Sequence, residues 1–231
     1  MRYGAILIIF CVTMLIGFSC KVRGDKGIKG ISEGEIHYNI TYAGNMGEVP
    51  KEVLPKTSVV YFKKNKFLFE MLSIFGSSGI INLSNHEAKI YDTYFSLFAL
   101  KYYYEVSEGE LFPGFDAMDG IEIKETLKTM VICGFHCKNV EITLPFDKNR
   151  IINIWYTNEI NVKNSNLGTP FEKIEGVMMD FFLYFGDAEV HFVAENVYSK
   201  IINDNMFERR QNYKKVAKED INMFINKMIS F

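Results

Sequence analysis

The residues best equipped for chemistry are two cysteines with a histidine between them, Cys133-Gly134-Phe135-His136-Cys137. Thiolates and an imidazole can ligate zinc, but a structural site needs four ligands and no second cysteine pair completes one. The spacing is not Cys-x-x-Cys, so a thioredoxin-like redox role has no support. An oxidising compartment would allow a Cys133–Cys137 disulfide. Four residues on a straight strand span ~13 Å, so that bond requires Gly134 to bend the chain. Buried, unbonded thiols are the plainest alternative.

The other candidates are weaker. His37, His86, His136 and His191 lie in separate segments and read as strand or turn residues. There is no Gly-x-Ser-x-Gly elbow and no phosphate-cradling glycine loop. Glu105, Glu108 and Glu110 read as a solvated acidic face, and Lys63-Lys64-Asn65-Lys66 and Arg209-Arg210 as solvated turns. The expectation is a protein that is not an enzyme and uses no metal or cofactor. Trp155 and Tyr156 are adjacent, so on a strand they project to opposite faces. One of them must point inward, into packed core or onto the wall of a ligand cavity.

Positioning these residues falls to strands. Ile36, Tyr38, Ile40 and Tyr42 alternate with Glu35, His37, Asn39 and Thr41, the period-two pattern of a half-buried antiparallel strand. Similar runs are predicted at 58–63 and 66–73 around a Lys64-Asn65 turn, at 79–83 and 88–93, and at 98–106. Others follow at 121–126, 129–132, 137–144 and 151–157, with Asp147-Lys148-Asn149 turning into the last. Runs at 177–185 and 187–199 form a final pair around Gly186-Asp187. Residues 111–120 and 161–176 read as loops, rich in Gly, Pro and Asn. From Ala217, Ile221, Phe224, Ile225 and Met228 make one apolar stripe, which predicts a C-terminal amphipathic helix. A long meander with one apolar face must curl around something, and that helix is the natural plug or lid.

Composition sets the outer bounds. Of 231 residues 48% are hydrophobic and 15% aromatic, enough for a large β-rich core. A net charge of −2 leaves no electrostatic footprint for nucleic acid. The first 19 residues read as a signal peptide: Arg2 supplies the positive start, and Gly4 to Phe18 is almost wholly apolar. Gly17-Phe18-Ser19-Cys20 resembles the lipobox of bacterial lipoproteins, which implies cleavage after Ser19 and acylation of Cys20. Acylation there would anchor the chain stably to a membrane. Residues 20–32 then form a lipidated, flexible tether, and 33–231 a single domain.

Further residues carry a second resemblance. They are Glu33-Gly34-Glu35-Ile36-His37-Tyr38-Asn39-Ile40, Tyr61 to Lys66, Gly134-Phe135-His136-Cys137-Lys138, Trp155-Tyr156-Thr157-Asn158-Glu159-Ile160, Thr169-Pro170-Phe171 and the terminal helix. This set resembles a family of uncharacterised Gram-negative envelope lipoproteins, a domain of unknown function. The resemblance implies a fold like the lipoprotein carriers LolA and LolB. That fold is mainly β, a curved antiparallel half-barrel of about ten strands with a C-terminal helix on its concave side. It also implies an outer-membrane anchor, facing the periplasm or the cell surface, and it carries no catalytic residues. The expected function is a carrier or binder of lipid or another amphiphile, its cavity lined by Ile36, Tyr38, Ile40, Val140, Ile142 and Trp155. The alternative is an interaction module that recruits an envelope protein through exposed edge strands.

Overall fold

Strands form here because each carries one face that must leave water. In a computed structural model, which describes residues 30–44, 52, 54–73 and 78–230, they are β1 (Glu33–Gly44), β2 (Thr57–Lys63), β3 (Lys66–Leu72), β4 (Gly79–Asn85), β5 (Ile90–Leu97) and β6 (Leu100–Glu105). After a turn of 3-10 helix at Asp116–Met118 come β7 (Glu122–Ile132), β8 (Phe135–Leu144), β9 (Asp147–Thr157), β10 (Val177–Phe185), β11 (Ala188–Ser199) and the short β12 (Lys214–Lys215). The chain ends in α1 (Lys218–Ser230). The signal segment, Cys20 and most of the tether lie outside the described residues.

All twelve strands belong to one open sheet, in the order β12-β6-β5-β4-β3-β2-β1-β11-β10-β9-β8-β7. Every pairing is antiparallel except β12 on β6. Pairing of β1 with β11 joins two meanders, β1 to β6 and β7 to β11, into one surface.

The twelve strands, against about ten expected for the half-barrel, differ from the runs read in sequence at two places. β12 is only two residues long and has no alternation to read. Residues 121–126 and 129–132, expected as two strands, are one strand whose register slips between Glu125 and Thr129. This bulge throws Leu127 fully into solvent, 101% exposed, and breaks the pattern seen in sequence. The turn expected at 147–149 falls instead at Pro145-Phe146, because Leu144 already pairs with Asp147.

The helix shows how strongly the sheet curls. Phe224 stacks on Tyr102 of β6 and Phe95 of β5, with ring centroids 4.9 and 5.5 Å away. Two residues on, Asn226 lies against Gly186 in the β10–β11 turn. β5 and β10 are six places apart in the sheet, ~29 Å if it were flat. The sheet therefore wraps around α1, and Ile221 and Ile225 are fully buried in the main core.

The opposite face of β2–β6 is covered too. Residues 200–216 cross it as a strap, and Ile202 and Phe207 pack on Leu68, Ile81, Leu83 and Tyr94 to make a second, smaller core. Here the reading of Arg209-Arg210 as a solvated turn is corrected. The Arg209 guanidinium grips both oxygens of Asp92 at 2.9 and 3.0 Å and reaches Glu105 at 2.9 Å. Arg210 binds Glu70 at 2.6 Å. A carboxylate as buried as Asp92 requires a charged partner, and among the described residues the strap brings it.

The strap also depends on exposed carboxylates. Lys66 and Lys63 hold Asp204 below the ordinary carboxylate range. The Ile202 amide does the same for Glu33, and Lys215 with Arg209 for Glu105. Depressed carboxylates stabilise the fold above their unfolded values near pH 4, and that contribution is lost as pH falls through the lower folded values. Amides of residues 200–216 are therefore expected to lose hydrogen-exchange protection below about pH 4, ahead of the β1–β11 core. Simultaneous loss in both regions would contradict this.

Candidate functional site

The strands leave an apolar space unfilled. A cavity of about 90 Å³ lies between the core face of β1–β4 and β10 and two irregular covers, residues 106–121 and 161–176. Its floor includes Tyr38, Phe69 and Phe181, and its roof Phe112, Phe115 and Phe171. The floor is rigid for an identifiable reason: Phe181 stacks on Phe192 at 4.9 Å and meets Tyr38 and Phe171 edge-on at 5.6 and 6.0 Å. Tyr38 donates its hydroxyl to the Met178 carbonyl at 2.8 Å. Burial pushes its pKa well above the ordinary value, so the phenol stays neutral. Asn82 and Ser84 of β4 bring polar atoms to the same space.

The roof is tied down at two points. Phe112 N–H donates to the Gly168 carbonyl at 2.8 Å, joining the two covers. Gly168 has φ 73°, and a Cβ there would sit 2.8 Å from the Phe112 ring, so only glycine suits the position. The second tie is α1. Asn222 accepts from Gly114 N–H and donates to Asp116, both at 2.8 Å, while Lys218 reaches Glu110 at 3.2 Å and Asp116 at 3.1 Å. The same helix that plugs the sheet thus clasps the cavity's lid. Asn222→Ala is expected to speed hydrogen exchange at residues 112–118 about tenfold while β-sheet amides keep theirs, since the lost pair of hydrogen bonds leaves the segment's irregular backbone held only by the buried Phe112, Phe115 and Met118 and by a few turn bonds.

Of the six residues predicted to line a cavity, Tyr38 does so. Ile36 and Ile40 share its face of β1 but are buried in continuous packing, as are Val140 and Ile142 on β8. On β9 the inward positions belong to Ile152, Ile154 and Tyr156, which leaves Trp155 half-buried on the other face beside Asn139 and Asp180. The residues that do form the space are Phe69, Asn82, Ser84 and the loop aromatics Phe112, Phe115 and Phe171. One signal was present: aromatic side chains inside segments otherwise built of Gly, Pro and Asn must be covering something.

Cys133 and Cys137 are thiols. Cys133 and Gly134, with φ 50° and 82°, form the tight β7–β8 turn, and Cys133 Sγ donates to the Ala194 carbonyl at 3.3 Å. Cys137 is buried two residues into β8, opposite Met130 rather than Cys133, and burial pushes its thiol up to about 11. Such a thiol is a poor nucleophile. His136 pairs with Glu159 at 3.0 Å and His191 with Asp180 at 2.6 Å, on separate patches. No group of three His, Cys, Asp or Glu side chains is placed to hold a metal among the described residues. A larger crevice, about 480 Å³, opens in the 158–176 segment, but it is polar. Asn166 and Ser165 there donate to the loop's own carbonyls at Ile174 and Gly176. No helix among the described residues is long and apolar enough to cross a membrane.

No family model and no curated protein matches the chain. Among solved structures it is similar to PNGF-II in two crystal forms, with TM-score 0.49, 15% identity and 83% of this chain covered. The match covers 33% and 34% of those chains, so this chain spans about a third of the length of PNGF-II. It is also similar to a DUF1329 family protein from Desulfovibrio piger ATCC 29098, with TM-score 0.35 and 11% identity, covering 77% of this chain and 91% of that one.

Proposed function

We propose that the protein is a non-enzymatic binder of an apolar or amphiphilic ligand, held at the cell envelope through an acylated Cys20. The observation that carries this reading is the cavity under Phe112, Phe115 and Phe171: ringed by aromatic side chains, it is roofed by irregular segments and not by strands. The curl of the sheet about α1 supports a half-barrel in the manner of LolA and LolB. Size sets a condition on the mechanism. About 90 Å³ is less than the ~150 Å³ that accepts benzene, and far below the ~300 Å³ of a drug-sized pocket. A long chain therefore enters only as the roof lifts, and the irregular roof, buried through Phe112, Phe115 and Phe171 but outside the strand ladder, is the part able to do so.

Native mass spectrometry of the full-length protein, extracted from membranes in mild detergent, tests this directly. A bound lipid-sized mass, together with an acylated N-terminal Cys20, is the expected result. A protein that is always alone and takes up neither a fatty acid nor a fatty acid ester probe would refute the ligand reading, and an intact Met1 would refute the anchor.

A second reading rests on a different observation. β7 is an edge strand of the open sheet and presents Val131, 59% exposed, beside Met130 and Leu127. An unpaired edge of this kind can add a strand from an envelope protein. Crosslinking from position 131 in intact cells would yield one discrete partner if the edge recruits it, and only self or nothing if it does not.

A further inference from the structure

β4 carries a chemical message about the ligand. All seven of its residues are buried, and on the core-facing side Asn82 and Ser84 stand opposite Phe69 and Phe67 of β3. Each is 7% exposed, and each faces the cavity. Asn82 uses one end of its amide, accepting from Thr93 Oγ1 at 2.8 Å. Turned the other way, the amide would leave the buried Thr93 hydroxyl proton without an acceptor, so the NH2 end is the one presented. Among the described residues neither Asn82 Nδ2 nor Ser84 Oγ meets a hydrogen-bond partner. The remaining polar side chains at the cavity are spent: Ser165, Asn166 and Thr169 all donate to carbonyls of their own loop.

Neither atom is sealed away from the cavity, so an occupant that fills the cavity takes water from both donors and must itself accept from them. The Cα atoms of positions i and i+2 on one strand face are ~7 Å apart, and an Asn and a Ser side chain leaning toward each other from that spacing can converge on one acceptor. No charged side chain lines the cavity. A carboxylate would therefore be buried without a cation, and a plain hydrocarbon would leave both donors unmet. Resting on the ligand-binding reading above, we infer that the ligand is an acyl ester or amide, whose uncharged carbonyl oxygen accepts from Asn82 Nδ2 and Ser84 Oγ. Its adjoining methylenes lie against Phe69 and Phe181, which flank that corner.

The test is calorimetric titration of the full chain with three probes of similar length: methyl octanoate, octanoate at pH 8, and octane. The ester is expected to bind about tenfold tighter than either competitor, the margin two neutral hydrogen bonds supply. In the double variant Asn82→Leu, Ser84→Ala the ester loses that margin while octane binds at least as well as before. Ser84→Ala alone, a smaller perturbation of folding, should lose about threefold. Equal binding of ester and octane to the natural chain would overturn the inference, with water serving the two donors instead. A margin that survives the double variant, or a preference for octanoate, would also overturn it. If none of the three binds, the ligand-binding reading itself falls.

Discussion

Phe181→Ala is expected to cost about 3–4 kcal/mol of stability and, in the same stroke, to create a site for small aromatics. Phe181 is 7% exposed and touches three rings, Tyr38, Phe171 and Phe192, so truncation removes contacts on three sides. The neighbours cannot close in, because Tyr38 is pinned to the Met178 carbonyl and Phe192 sits on the central strand pair β1–β11. The lost ring volume merges with the existing 90 Å³. Urea unfolding should report the loss. Toluene at saturation should then raise the melting temperature of the variant by clearly more than that of the natural chain. A loss below about 1 kcal/mol would mean that the core collapses freely, and the cavity would then not be a formed feature of the fold.

Arg209→Ala is expected to cost about 3 kcal/mol, the second large effect. Asp92 is 0% exposed, and among the described side chains it keeps, without the guanidinium, the Tyr94 hydroxyl at 2.6 Å. The penalty comes chiefly from the stranded charge, so it can be separated from the loss of Arg209 itself. Adding Asp92→Asn should restore part of the stability, and the double variant should be less damaged than the sum of the two single ones. Urea titrations of the four proteins close that cycle. Additive losses would show that Asp92 is served by solvent after all. Hydrogen exchange should place the damage in residues 200–216 and in β5, leaving β8–β11 protected.

Strands with clean alternation were legible in the chain, and so was the terminal helix. Ile36, Tyr38 and Ile40 share a face by local geometry alone, and the stripe Ile221, Phe224, Ile225 needs only a 3.6-residue repeat. The misread elements share one cause, which is that their reason for being lies far away in sequence. The bulge at 125–129 hides a single strand, and β12 exists only because β6 offers it an edge. Arg209 and Arg210 look like a solvated turn until the strap lays them on Asp92 and Glu70, over a hundred residues earlier. The same holds for the candidate site. Tyr38 was visible as an inward aromatic, but nothing local distinguishes Asn82 and Ser84 from polar residues on a wet strand face.

By itself the sequence determined the side of each strand that seeks burial, the amphipathic helix at the end of the described chain, and the weak net acidity. These are short-range matters, settled by the two-residue and 3.6-residue periods and by summed charge. Only the tertiary structure decided which buried faces meet. The curl of twelve strands about α1 sets Phe69 against Phe192 and Phe224 against Tyr102, and it draws two loops across the remaining gap. Curl accumulates from small rotations between neighbouring strands, so the place where the core fails to fill belongs to the whole sheet and to no single stretch of chain.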